Sequence, residues 1–254
     1  MQTLTLLKPS IPLARPPWTK LGKKLESMCR KALYEFKLLE NTTKIGIALS
    51  GGKDSLTLLY LLKALSGRGF PKLELYAFHV AGAFSCGASL GENFLHSICK
   101  ELGIPLIIKT SLRTQDELEC YSCSRERRKL LFDAAKEVGV STVAFGHHRD
   151  DSIETLLMNL LHKAEFAANL PKVHMHRYGI TIIRPLLFIS EKEIRAFASL
   201  YGFSRIVCQC PRGQLSLRKR AKEVISQLEE VFPYARENLF QSALIYGSKK
   251  ALYE

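Results

Sequence analysis

The stretch from Lys44 to Ser55 constrains what this chain can fold into more than any other. Lys44-Ile-Gly-Ile-Ala-Leu49 is a short apolar, β-branched run bounded by polar residues, the pattern of a buried strand. Ser50-Gly51-Gly52-Lys53-Asp54-Ser55 follows, and its glycines let backbone N–H groups turn inward with no Cβ in the way. Leu56, Leu58, Leu59, Leu61, Leu62 and Leu65 then have the apolar density of a buried helix. Strand, glycine turn and helix present N–H groups and the positive end of a helix dipole to an anion, and phosphate suits that geometry. The string is not a Walker A loop, because Asp54 stands where Ser or Thr would follow the lysine. A glycine turn without a ligand is the alternative reading.

The rest of the chain repeats the alternation. Leu25, Met28, Cys29, Ala32, Leu33 and Phe36 form a helix-spaced stripe within 21–38, with Lys23, Lys24, Arg30 and Lys31 around it. Strands are predicted over 73–80, 105–110, 142–145 and 180–183, separated by helices through Phe94–Leu102, Leu130–Val138 and Ile153–Leu161. Ser190 and Glu193 form a capping box that opens a helix to Tyr201. The tail from Gln214 reads as basic helical segments interrupted around Pro233. This order predicts an α/β fold, a doubly wound, mostly parallel five-stranded sheet with helical N- and C-terminal additions. Ligands on such sheets bind at the carboxyl ends of the strands, so the loops at Gly51, Cys120 and His147 are expected to share one rim.

Composition narrows the partners. A formal net charge of +13, from 37 Lys+Arg against 24 Asp+Glu, calls for a polyanion, with a solvated basic surface as the bland alternative. No apolar run is long enough to cross a bilayer, and no secretory h-region follows Met1, so no membrane partner is expected. Seven cysteines, an odd number, argue against a paired secreted framework and for a reducing, cytoplasmic setting.

Cys120-x-x-Cys123 has metal-ligand or redox spacing, and Cys208 and Cys210 form a second pair downstream. Cys29 and Cys99 fall on apolar helix faces and read as core. Asp150 and Asp151 follow a predicted strand and open a helix, where a carboxylate can cap the helix, bind magnesium or accept a proton. Arg125, Arg127, Arg128 and Lys129 start the helix after the first cysteine pair, and Arg212, Arg218, Lys219 and Arg220 lie beside the second. Two basic clusters flanking the same cysteines suit an electrostatic funnel for RNA.

Ser50 to Ser55 after a first strand resembles the signature of the PP-loop (N-type) ATP pyrophosphatases, which cleave ATP between the α and β phosphates to adenylate a substrate oxygen. Further blocks are Cys120-Tyr-Ser-Cys123-Ser-Arg-Glu-Arg-Arg128, Ala144-Phe-Gly-His-His-Arg-Asp-Asp151, Ile183-Arg184-Pro185-Leu186 and the Cys208 segment. Together they resemble the thiolating branch of that family, the tRNA 2-thiocytidine synthetases, from about Leu21 to Arg220. The resemblance implies a basic N-terminal arm and helix over 1–40, a PP-loop ATPase domain over 41–206 and a cysteine-bearing basic helical tail over 207–254.

It further implies ATP bound by Ala48, Ser50, Gly51, Gly52, Lys53, Asp54, Ser55, Gly146 and His147, with Asp54, Arg127 and Asp151 serving the reaction and Mg2+ on one of the carboxylates. Cys120, Cys123 and Cys208 would hold a 4Fe-4S cluster. The chain departs from the family's second Cys-x-x-Cys, having Cys208-Gln-Cys210, so Cys210 is the competing third ligand and a four-cysteine zinc site the rival metal. Ala81 to Ala88 also departs from the acidic or glutamine-bearing loop of relatives. The implied activity is ATP-dependent thiolation of an anticodon-loop cytidine in tRNA, with a cysteine desulfurase as sulfur donor and a homodimer as the assembly. Uridine 2-thiolation, lysidine-type synthesis and a non-catalytic nucleotide- and zinc-binding RNA module are the alternatives.

Overall fold

The strand-and-helix alternation becomes one sheet with helices on both faces. In the computed structural model, residues 11–82, 91–111, 120–203 and 217–247 are described. The strands are β1 (Lys44–Ala48), β2 (Glu74–Ala81), β3 (Leu106–Thr110), β4 (Thr142–Ala144), β5 (Lys172–Met175) and β6 (Ile180–Ile183). The helices are α1 (Lys20–Glu35), α2 (Lys53–Leu65), α3 (Gly91–Leu102), α4 (Cys120–Glu137), α5 (Arg149–Lys163), α6 (Glu191–Leu200), α7 (Leu217–Val231) and α8 (Ala235–Tyr246).

The sheet order is β3-β2-β1-β4-β6-β5. All five expected strands are present and mutually parallel, with β1 between β2 and β4. A sixth strand corrects the expected count: β5 pairs antiparallel with β6 at the sheet's edge. Its residues, Lys172-Val-His-Met, bury only Val173, so the stretch lacks the apolar run that marked the others. Its position is set by the hairpin, in which Gly179 takes φ +60° after a single 3-10 turn.

The chain leaves β1 for β2 and β3 on one side, then returns to add β4 and β6 on the other. That is a topological switch point, the place where ligands of such sheets bind, and the loops leaving β1 and β4 both start there. In register, Ile47 faces Ala144, so the two loops start side by side.

α2 is buried over most of its length, from Ser55 to Leu65, because α1 and α6 cover the side that the sheet does not. Gly46 in β1 is required by packing, since a Cβ there would fall 2.1 Å from Cε2 of Phe78 on the neighbouring strand. The Ser190 capping box forms as read, with the Ser190 hydroxyl accepting from Glu193 N at 3.3 Å and the Glu193 carboxylate accepting from Ser190 N at 2.9 Å. The C-terminal helices fold back onto the α/β body. α7 and α8 pack on α5, and Ile225 and Phe240 are fully buried in the main core. Among the described residues no helix is long and apolar enough to cross a membrane.

Candidate active site

The β1–α2 loop is pinned at its root. Leu49 N donates to Phe78 O at 2.8 Å, and the buried His79 ring donates through Nδ1 to Leu49 O at 2.8 Å. Burial lowers the His79 pKa first, and although the Leu49 bond opposes this, the nearby Arg127 charge adds to it. Gly51 then takes φ +86°, a left-handed conformation that favours glycine, and Gly52 caps α2 with no side-chain hydrogen bond. The Ser50 hydroxyl accepts from Gly52 N at 3.3 Å and meets the Ser55 hydroxyl at 3.1 Å; Ser55 donates to Gly52 O at 3.0 Å. The loop is tied to itself while the helix end it leads into has no carboxylate or hydroxyl cap, which suits an anion as ligand.

The β4–α5 loop lies directly against this turn. A Cβ on Gly146 would fall 3.0 Å from Asp54 C and Ser55 N, backbone atoms with no freedom to yield. His148 begins α5 with a reciprocal cap: its Nδ1 accepts from Asp151 N at 3.4 Å, and the Asp151 carboxylate accepts from His148 N at 2.9 Å. The Nε2 of the same ring lies 3.7 Å from Asp54 Oδ1 and 3.4 Å from Asp151 Oδ2.

These contacts belong to a continuous array of charge. Lys53 Nζ is 2.9 Å from Asp54 Oδ1 and 3.3 Å from Glu191 Oε1 at the start of α6. Glu191 also pairs with Arg195 at 2.6 Å and with Lys222 of α7. Arg218 of α7 reaches Asp151 Oδ1 at 2.9 Å, and its Nε lies 3.8 Å from Glu154. Burial alone would raise the Asp151 carboxyl, but His148 and Arg218 outweigh it and hold it below the ordinary range. Glu191 is likewise pulled down to about 2, with burial opposed by Lys222, Arg195 and Lys53. Glu154 goes the other way, to about 7, because burial and the Asp151 charge outweigh Arg218 and Lys222.

Of the acidic pair, only Asp151 faces the glycine turn. Asp150 accepts from Glu191 N at 2.7 Å and from Arg236 of α8 at 2.7 Å, so it joins three helices. His147 stacks on Phe145, centroids 5.6 Å apart and rings within 3° of parallel. Its Nδ1 accepts from Arg184 Nε at 3.2 Å, and burial together with the Arg184 charge pushes its pKa well down, so the ring is neutral. Arg184, itself buried, also donates to Leu170 O.

Sequence reasoning picked out Ala48, Ser50 to Ser55, Gly146, His147 and Asp151, and the fold brings these to one rim. Ala48 ends β1 there. Arg127 is half-buried on α4, near enough to His79 for its charge to act on that ring. His148, Glu191, Arg218 and Lys222 were not singled out for this site. His148 lay inside a quoted block, Glu191 reads as an ordinary first-turn carboxylate, Arg218 reads as part of a basic cluster for RNA, and Lys222 has no signal of its own.

Cys120 and Cys123 fall in the first turn of α4, so this pair begins the helix instead of preceding it. Cys208 and Cys210 lie outside the described residues, as do 83–88 of the divergent loop. Cys29 and Cys99 are buried as expected, their thiols pushed up by burial to about 12 and about 11, which keeps both inert. Among the described residues no three His, Cys, Asp or Glu converge as a metal cage. Magnesium suits the site nonetheless, since it takes one or two carboxylates and completes its shell with phosphate and water oxygens. A set of thiolates spread over two short motifs is chemically suited to an iron–sulfur cluster.

Comparison with known proteins agrees with this geometry. Residues 19–208 match the family model described as the PP-loop domain. A tRNA-cytidine(32) 2-sulfurtransferase of Syntrophotalea carbinolica is 36% identical over 228 residues, 87% of this chain and 88% of that protein. One from Geobacter metallireducens is 33% identical over 232 residues, 88% of this chain and 90% of that protein. The U34-tRNA thiolase NcsA from Methanococcus maripaludis, solved with its [4Fe-4S] cluster, superposes with a TM-score of 0.71 at 26% identity, covering 87% of this chain and 78% of that one. Uncapped glycine turn, its place at the sheet's switch point and matched sequence concur: the chain belongs to the PP-loop domain family, alongside the tRNA-cytidine(32) 2-sulfurtransferases that it resembles.

Proposed function

We propose that this chain is an ATP-dependent tRNA sulfurtransferase that converts cytidine 32 to 2-thiocytidine, as the names of its relatives describe for them. The observation that carries the reading is the meeting of the uncapped α2 N-terminus, Lys53, Asp54 and Asp151 at the sheet's switch point.

In this reading the N–H groups of Gly52 to Ser55 and the Lys53 ammonium hold the β- and γ-phosphates of ATP. Asp54 and Asp151 would hold Mg2+, which when bound would offset charge on the departing pyrophosphate. Gly146 keeps the β4–α5 loop close, so the nucleotide is gripped between two strand ends. Neutral His147, accepting from Arg184 at Nδ1, keeps its proton on Nε2 as a donor and takes up no second one. The cytidine O2 attacks the α-phosphorus, and the bond to pyrophosphate breaks. Sulfur at the sulfide level then adds at C2, the C2–O bond breaks, and AMP leaves. AMP is a far better leaving group than oxide, which is why a nucleotide is needed.

Cys120, Cys123 and Cys208 would hold a 4Fe-4S cluster, which when bound supplies an open iron for sulfur delivery. A cysteine desulfurase is the proposed source of that sulfur, released as a persulfide whose S–S bond a thiol reductant cleaves, giving a disulfide and sulfur at the sulfide level. The target base must leave its stack to expose C2, so recognition is of a single-stranded loop, with Arg127 and Arg128 of α4 positioned to receive it. The exposed apolar corner of Val231, Phe232 and Tyr234 supports a homodimer, and tRNA as substrate supports a cytoplasmic location.

Mass spectrometry of tRNA nucleosides from a deletion strain tests the reading. Loss of 2-thiocytidine, restored by the intact gene, is expected. A specific observation favours one second reading, uridine 2-thiolation, namely the likeness to a U34-tRNA thiolase. Unchanged 2-thiocytidine with a missing 2-thiouridine would select it.

A further inference from the structure

The charged array at the rim is a ring closed by α7. Asp54, Lys53, Glu191, Lys222, Arg218, Asp151 and His148 follow one another around it, drawn from α2, α6, α7 and α5. Arg218 and Lys222 are one helical turn apart on the same helix and lie beyond the residues matched by the PP-loop domain. We propose that Arg218 and Lys222 complete the pyrophosphate subsite, exchanging Asp151 and Glu191 for β- and γ-phosphate oxygens when ATP binds. This rests on the adenylation reading and adds to it the two residues.

Charge balance supports the exchange. Glu191 is matched by three cations, Lys53, Arg195 and Lys222. When Lys53 and Lys222 turn to phosphate, Arg195 on its own helix still pairs with it at 2.6 Å. Asp151 loses Arg218 but keeps His148 and gains the metal ion. Asp151 and Glu191 therefore each retain a favourable partner, and Glu154, which loses Arg218, is the carboxyl that burial already raises to about 7. Without the α7 cations, a triphosphate would enter a site holding Asp54, Asp151, Glu154 and Glu191 with Lys53 as its main counter-charge. The side chains of Arg218 and Lys222 are 45% and 40% exposed, so both can reorient without unpacking the core. Arg218 can also bind two phosphate oxygens at once through its planar fork.

The rival explanation is that Arg218 merely fastens α7 to α5, and ligand selectivity separates the two. Binding of Mg·ATP, magnesium pyrophosphate and AMP is measured by calorimetry on the full chain and on Arg218→Gln, Arg218→Lys and Lys222→Met. The expected result is about tenfold or greater weakening of ATP and pyrophosphate in the Gln and Met variants, with AMP within about twofold and partial rescue by Lys. Unchanged ATP affinity, or equal loss for ATP and AMP, would overturn the proposal and leave adenylation standing. If Arg218→Gln fails to fold, Lys222→Met decides alone, because Glu191 there keeps Lys53 and Arg195. A wild-type chain that binds neither ATP nor pyrophosphate would overturn the adenylation reading itself, and this inference with it.

Discussion

Asp150 and Asp151 are neighbours with the same charge and different work, and their substitutions should separate accordingly. Asp150→Asn breaks a buried pair with Arg236 and weakens the link to Glu191 N, so a loss of about 3 kcal/mol is expected in thermal unfolding. Asp151→Asn should lower tRNA-dependent pyrophosphate release on the order of 10²-fold with a smaller change in melting. Glu154 gives a pH signature. Its carboxyl is raised from 4.5 to about 7 in the fold, so the folded state binds the proton more tightly. Stability from this group is full below the unfolded value and lost as pH rises through the folded one. Glu154→Gln should therefore leave the melting temperature near that of the parent at about pH 4.5 and raise it by the equivalent of ~2 kcal/mol at about pH 8.

Elements meet where the β4–α5 loop touches the start of α2, and Gly146 makes that contact feasible. A Cβ at 3.0 Å from Asp54 and Ser55 backbone must push one element off the other. Gly146→Ala is expected to cost about 1–3 kcal/mol in stability and to weaken ATP binding about tenfold, while tRNA affinity measured without nucleotide stays close to the parent's. Strong periodicity made α2, α5 and α6 legible in the sequence, and Ser190 with Glu193 even marked where α6 begins. β5 was not legible, since a four-residue edge strand with one buried side chain carries almost no pattern. Cys120 and Cys123 read as a turn, yet α4 already includes them; spacing of three residues fits a tight turn and a helical turn alike.

For the molecule as a whole, the excess of positive charge fits a polyanionic substrate. Raising salt from about 50 to about 200 mM should weaken tRNA binding on the order of 10²-fold or more, with a slope that Arg127→Gln makes shallower. A flat salt response in filter binding would remove tRNA from the reading. The C-terminal helices are part of this charge distribution, but not as a loose basic tail. Arg218, Lys222 and Arg236 are spent on Asp151, Glu191 and Asp150, so much of that charge faces the site.

What the sequence determined alone is the local grammar: apolar runs that must be strands, stripes that must be helices, and a glycine turn whose backbone N–H groups can face an anion. Those follow from burial and φ/ψ sterics within a dozen residues, and they carry the fold class and the core of the candidate site. Tertiary structure decided which carboxylate of an adjacent pair faces the turn, that Gly146 lies against α2, and that α7 closes a ring around Lys53. Such facts depend on pairings between residues far apart in the chain, 31 positions for Lys222 and Glu191 and 67 for Arg218 and Asp151, and charge has no periodicity that reveals its partner at that distance.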